Sequence, residues 1–223
     1  MTFPNAANGL KKIYTAEILA LVAALCTGLM LIVTAFTISS AESFNLSGVA
    51  TGGIFLLLFG FAAFVLMVLA LIFELIGINS AKKDETGEKK NFAIAFICVI
   101  VSICVNFVGG ALSTAVPFMS TILTTAGRLL ELIATYYVLY GISDFAERLG
   151  QNGLAEKSKA MVYKLCFIYC VSILCNVLFS FLSSKLGMII SLLLSLVVLL
   201  FSIVYYILYL RIIKEAGDTF ASN

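Results

Sequence analysis

GIFLLLFGFAAFVLMVLALIF, residues 53–73, contains neither a charge nor a proline. A run this apolar has no polar face to offer water, and its length meets the roughly 20 residues needed to cross a bilayer core. It lies inside a candidate span over about 49–78, and five more follow the same logic: about 13–38, 92–112, 118–142, 161–182 and 187–210. The whole chain agrees, with 62% hydrophobic residues, 12% charged and a mean hydropathy of +1.12, whereas soluble proteins carry about a quarter charged residues. Composition thus predicts an all-α integral membrane fold of six transmembrane helices, with residues 1–223 as a single membrane domain.

The segments between spans are too short to bury a core of their own. NSAKKDETGEKKN (79–91) and SDFAERLGQNGLAEKSK (143–159) read as solvated turns, the second continuing its helix for a turn or two before Gly150 and Gly153. Cations set the orientation. Lys11, Lys12, Lys82, Lys83, Lys89, Lys90, Arg148, Lys157, Lys159, Lys164, Arg211 and Lys214 all fall on one side, leaving Lys185 on the other and Arg128 within a span. The positive-inside bias then places both termini in the cytoplasm, and the compactness of the chain suggests a bacterial plasma membrane. Because these cations mark topology and are interspersed with Asp84, Glu85 and Glu88, the net charge of +2 does not indicate nucleic acid. SSA at 39–41 resembles a signal cleavage site, but the apolar run before it is longer than a signal peptide uses, so the first span is expected to stay.

The chain repeats itself. YYVLYG (136–141) returns as YYILYL (205–210), and VSICVN (101–106) as VSILCN (171–176), at offsets of 69 and 70 residues. A looser match pairs KKIYTAEILA (11–20) with KKNFAIAFIC (89–98), and IFELIGINSA (72–81) with YYVLYGISDF (136–145), which makes Gly77 and Gly141 equivalent. The spans therefore read as three tandem helical hairpin repeats, about 11–81, 89–150 and 159–217, related by an axis along the membrane normal. Tyr136, Tyr137 and Tyr140, and likewise Tyr205, Tyr206 and Tyr209, come just before a cytoplasmic helix end. There an apolar ring with a polar hydroxyl suits the interface, so they are expected to be anchors. Tyr136 and Tyr140 also share a helix face that would suit the mouth of an aromatic ligand cage.

Residues that a bilayer should reject carry the functional argument. Arg128 and Glu131 lie three apart on one face of span 4, about 20 Å and 15 Å from its cytoplasmic end. Asn106 and Asn176, equivalent in two repeats, fall about 22 Å from theirs. A charge at mid-bilayer costs about 2.5–3.5 kcal/mol and seeks partners inside the bundle, which predicts a polar cluster of Arg128, Glu131, Asn106 and Asn176. Such a cluster serves either as an interhelical clamp or as a binding site for a small polar or anionic solute. A third arrangement starts helix 4 near Arg128 and makes the charge merely interfacial; Pro117 as a helix start argues against it. Glu17 and Glu74 lie near cytoplasmic helix ends, where solvation at the interface is the default.

Packing signals are separate. Ala16, Ala20, Ala24 and Gly28 form a small-residue ridge on span 1, and Gly48 and Gly52 a GxxxG in span 2; either permits close helix contact, internal or with another membrane subunit. Six cysteines lie within spans and no histidine is present, so neither a disulfide framework nor a metal site is expected. Without histidine or a phosphate-binding loop, the expectation is a protein that is not an enzyme and has no cofactor. Six short-looped spans with the Ala-rich AEILALVAAL (16–25) are similar to the substrate-binding subunits of bacterial energy-coupling-factor vitamin transporters. That similarity covers size, span count and this one region, and implies solute capture without matching any ligand-binding motif. Two readings of function follow: an accessory or scaffold membrane protein, and a small-solute transporter or capture subunit.

Overall fold

The computed structural model describes residues 3–42, 46–86, 90–181 and 185–222, with side chains described for all of these except 39–48, 172–196, 198 and 199. Six α-helices account for nearly all of it: α1 (Pro4–Glu42), α2 (Leu46–Ala81), α3 (Asn91–Ala111), α4 (Pro117–Arg148), α5 (Asn152–Phe181) and α6 (Lys185–Ser222). One 3-10 turn, Lys82–Asp84, follows α2, and no strand occurs among the described residues. Among the described residues, four stretches are long and apolar enough to cross a membrane: Pro4–Ile38, Val49–Asp84, Asn91–Ala111 and Pro117–Arg148. Threonines within α1 and α4 return their hydroxyls to the carbonyl four residues back, as Thr27 does to Ala23 and Thr125 to Thr121, so they add no unsatisfied donor to an apolar helix.

Two compact units are present, Lys11–Gly77 and the combination of Met1–Leu10 with Ile78–Asn223. Within the smaller unit α1 and α2 approach where side chains are small: a Cβ on Gly60 would stand 3.3 Å from Met30 Cε. Within the larger unit α3 packs on α4, α4 on α5 and α5 on α6.

The helices run further than the apolar stretches, and this corrects one expectation. Residues 143–159 are not a solvated turn. There α4 continues to Arg148 and α5 begins at Asn152, with Ser143, Phe145, Ala146, Leu154, Ala155 and Ser158 all buried. Only Leu149–Gln151 separates them. Gly150, at φ 73°, occupies the left-handed position just past the helix end, and Gln151 N–H closes the turn on Ala146 O at 2.8 Å. Helix 4 begins at Pro117, which rules out the arrangement starting near Arg128; proline suits the first helical position because its missing N–H would have no helical partner there.

The helical extensions build a core at the end of the larger unit that carries the basic segments. Phe145 stacks on Phe3 at 4.5 Å and on Phe92 at 5.5 Å between ring centroids, and meets Phe220 edge-on at 6.0 Å. These four rings come from the first residues before α1, the start of α3, the end of α4 and the end of α6, and each is at most 3% exposed. Phe3 also touches Phe220 at 6.3 Å, so residues near both ends of the chain meet in one aromatic cluster. Gly141 gives this cluster its floor: a Cβ there would fall 2.8 Å from Phe92 Cδ2 and 2.9 Å from Cζ.

Candidate functional site

Helices α3 and α4 form an antiparallel pair in constant register. Phe92 faces Gly141, Ser102 faces Glu131, Asn106 faces Gly127, and Gly109 faces Thr124. Each step along α3 is matched by an equal step back along α4 over about 25 Å. Ser102 and Asn106 are four apart, as are Gly127 and Glu131, so each pair presents one helix face to the other.

Glu131 Oε1 lies at the centre of this seam. It accepts from Ser102 Oγ at 2.9 Å and from Asn106 Nδ2 at 2.9 Å, while Asn106 Nδ2 also approaches Ser102 Oγ at 3.4 Å. Ser102 is buried and Asn106 half-buried, but Glu131 keeps an exposed edge. Gly127 makes room for the amide, since a Cβ there would lie 2.6 Å from Asn106 Cγ and 2.9 Å from Nδ2. The acceptor is thus a carboxylate and both donors are neutral, an arrangement that holds two helices at one depth.

Of the four polar residues expected to converge, Asn106 and Glu131 are joined. Arg128 is exposed and makes no ion pair with Glu131, because that carboxylate is turned toward α3. The Asn176 side chain lies outside the described residues. Ser102 belongs to the site although nothing in the sequence singles it out; its position four residues before Asn106 is the available signal.

The other expected features are placed as follows. Along the α1 ridge Ala16 is buried, Ala20 half-buried, and Ala24 and Gly28 exposed, with no atom within 4 Å of a Cβ built on Gly28. Tyr136 stacks on Tyr140 at 4.7 Å and meets Tyr137 edge-on at 5.2 Å, so these rings contact one another. Tyr205 stacks on Phe201, and Tyr206 lies 6.3 Å from a buried Tyr209. Cys26, Cys98, Cys104, Cys166 and Cys170 are free thiols, and no cluster of metal-binding side chains occurs among the described residues.

Two acids that read as solvated loop residues are helix caps. Asp84 accepts from Ala6 N–H at 2.8 Å and from Asn5 Nδ2 at 2.7 Å, satisfying the first turn of α1. Glu85 receives Phe92 N–H at 2.6 Å and Ala93 N–H at 3.1 Å at the start of α3. Burial pushes the Glu85 carboxyl above the ordinary value; Asp144 adds to this, while the two N–H donors and Lys82 oppose it. A carboxyl with a raised folded-state pKa stabilises the fold fully below its ordinary pKa, and that contribution is lost as pH rises through the raised value. The melting temperature of the wild type should therefore fall across that window relative to Glu85→Gln. Parallel pH profiles of the two proteins would contradict this.

Two cavities lie at the same end as the aromatic cluster. One of about 270 Å³ is lined by Asn91, Tyr140, Ser143, Asp144, Glu147 and Lys159. A larger one of about 730 Å³ lies between α5 and α6, and neither borders Glu131. No known family model, curated protein or solved structure matches the chain.

Proposed function

We propose that the chain is a multi-pass membrane protein of three helical hairpins that acts as an accessory or scaffold subunit and catalyses no reaction. Support for the membrane comes from apolar side chains that the helices leave outward: Leu57 is 76% exposed, Phe61 71% and Phe107 78%. In water such a surface drives aggregation, whereas lipid solvates it at no cost. The meeting of Phe3 with Phe220 supports both termini on one side, and the basic segments make that side the cytoplasm. The plasma membrane of a bacterium remains the compartment proposed from the sequence.

The observation that carries the scaffold reading is the direct bonding of Glu131 to Ser102 and Asn106. These polar groups are engaged in holding α3 to α4, and the exposed Ala24 and Gly28 offer a smooth surface for a partner helix. Solute capture is the second reading, and one observation favours it: Glu131 Oε2 and the Arg128 guanidinium have no bonded partner among the described residues.

Substitution at Glu131 separates the two. As a clamp, Glu131→Gln keeps an acceptor oxygen and leaves stability nearly unchanged, while Glu131→Leu strands two donors and costs about 1 kcal/mol, the sum of two hydrogen bonds of average strength in lipid. Native mass spectrometry in mild detergent, comparing wild type with an Arg128→Met/Glu131→Gln double variant, reads the function itself. A co-purifying polypeptide retained by the double variant and lost in Ala24→Leu/Gly28→Leu supports the scaffold. A small-molecule adduct present on the wild type and lost in the double variant overturns it in favour of solute capture.

A further inference from the structure

The 730 Å³ cavity between α5 and α6 is chemically unlike the rest of the surface. Lys157, Met161 and Lys164 follow one face of α5, and Leu208, Arg211, Ile212 and Glu215 follow one face of α6. Both sets have the three-and-four spacing that lines a groove between antiparallel helices. Its floor is apolar: Met161 is 2% exposed and Ile212 8%. Its rim is cationic, with Lys157, Lys164, Arg211 and Lys214 against only Glu215 and Asp218.

One of those two acids is already engaged, since Lys157 Nζ lies 2.7 Å from Glu215 Oε1. Lys164, Arg211 and Lys214 make no ion pair among the described residues, so three cations face a single carboxylate, Asp218. Counting along the helices from the Lys157–Glu215 pair, Lys164 and Leu208 lie about 10 Å away and Arg211 about 6 Å. Charge and apolar surface are therefore graded along the groove. Beyond Lys164 and Leu208 come exposed apolar side chains, Phe167 at 67% and Val204 at 54%.

We infer that this groove is a binding site for the headgroup of an anionic phospholipid, with Lys164 and Arg211 holding the phosphate. The inference rests on the membrane reading above, under which Lys164 and Arg211 stand at the cytoplasmic boundary. A phosphodiester carries one negative charge at its glycerol end and two acyl chains beyond it. In the groove the phosphate meets the cations, and the chains continue along Phe167 and Val204. Basic pockets between membrane helices on the cytoplasmic side have the charge complementarity that such lipids require. A fully aqueous anion would gain the cations but leave the apolar continuation uncovered.

The test uses the full chain reconstituted in vesicles of phosphatidylcholine alone and of phosphatidylcholine with phosphatidylglycerol, followed by mild-detergent extraction and native mass spectrometry of retained lipid. Wild type should retain phosphatidylglycerol over phosphatidylcholine, and Lys164→Gln/Arg211→Gln should reduce that preference about 30-fold, the product of two cation contributions at the leaflet surface. Lys164→Arg should restore most of it in the single-site background, which guards against misfolding as the cause. Lys11→Gln/Lys12→Gln removes equal charge from elsewhere on the same side and should leave the preference intact. An equal loss in that control would reduce the effect to general surface charge and overturn the site. Displacement of the lipid by millimolar inorganic phosphate would reassign the groove to a free anion and overturn it as well, as would absence of any preference in wild type. Failure of the protein to float with vesicles of either composition is a distinct result that sinks the membrane reading itself.

Discussion

Phe145→Ala should destabilise the protein by about 3–5 kcal/mol, the range for removing a buried aromatic side chain. Phe145 is 1% exposed and is the one ring in contact with all three others of its cluster, Phe3, Phe92 and Phe220. These arrive from four separate segments, so the cavity left behind cannot collapse by moving one of them. The location also matters. Under the proposed membrane reading, lipid along the outward-facing stretches is as apolar as the side chains, and burial there contributes little. At the end bearing the charged segments the alternative to burial is water, and the full hydrophobic term applies. Denaturation of detergent-solubilised protein, followed by far-ultraviolet circular dichroism, measures the loss. Phe145→Leu should recover roughly half of it. Hydrogen exchange should show faster opening of residues 3–10 and 212–222 in Phe145→Ala, since Phe3 and Phe220 lose their common support. A Phe145→Ala protein within about 1 kcal/mol of wild type would mean that the cluster contributes no more than ordinary surface packing.

That core also marks where the sequence was hard to read. Long uninterrupted apolar runs announce helices by composition alone, and Pro117 announces the start of one, because both signals are local. The end of α6 has a different pattern. Ile212, Ile213, Ala216 and Phe220 recur with helical periodicity among Arg211, Lys214 and Asp218, which lowers mean hydropathy to that of a tail while preserving an apolar face. Residues 143–159 show the same disguise, with Phe145, Ala146, Leu154 and Ala155 set among eight charges and amides. Hydropathy sees the average; the fold uses the periodicity. Asp84 and Glu85 were illegible for another reason. Which helix N-terminus an acid caps depends on a neighbour in space, and Asp84 caps one that begins some eighty residues earlier. At the candidate site, Asn106 and Glu131 stand out as polar groups in an apolar context. Ser102 does not, since a serine can satisfy itself within its own helix. Arg128 was expected to pair with Glu131 from spacing alone, but spacing cannot say that two donors on α3 are already in place.

Gly127→Ala should cost about 1–3 kcal/mol, although alanine is the better helix former and would stabilise an isolated helix by about 1 kcal/mol. The sign is set by Asn106. A methyl group on residue 127 enters the space of that amide, 2.6 Å from its Cγ, and Asn106 cannot simply swing away because its Nδ2 is held by Glu131 at 2.9 Å. Either the helices separate, loosening the close approach of Gly109 to Thr124 one turn further along, or the Asn106–Glu131 hydrogen bond breaks. A double-mutant cycle identifies the cause. Asn106→Ala alone loses one interhelical hydrogen bond, worth about 0.6 kcal/mol in lipid, and opens space opposite residue 127. Gly127→Ala made in that background meets no amide and should be neutral or stabilising. The two changes should therefore couple by more than 1 kcal/mol, well outside the additivity expected of independent sites. Additive losses would mean that Gly127 is needed for some other contact, and that the constant register between α3 and α4 does not depend on the fit of amide to glycine.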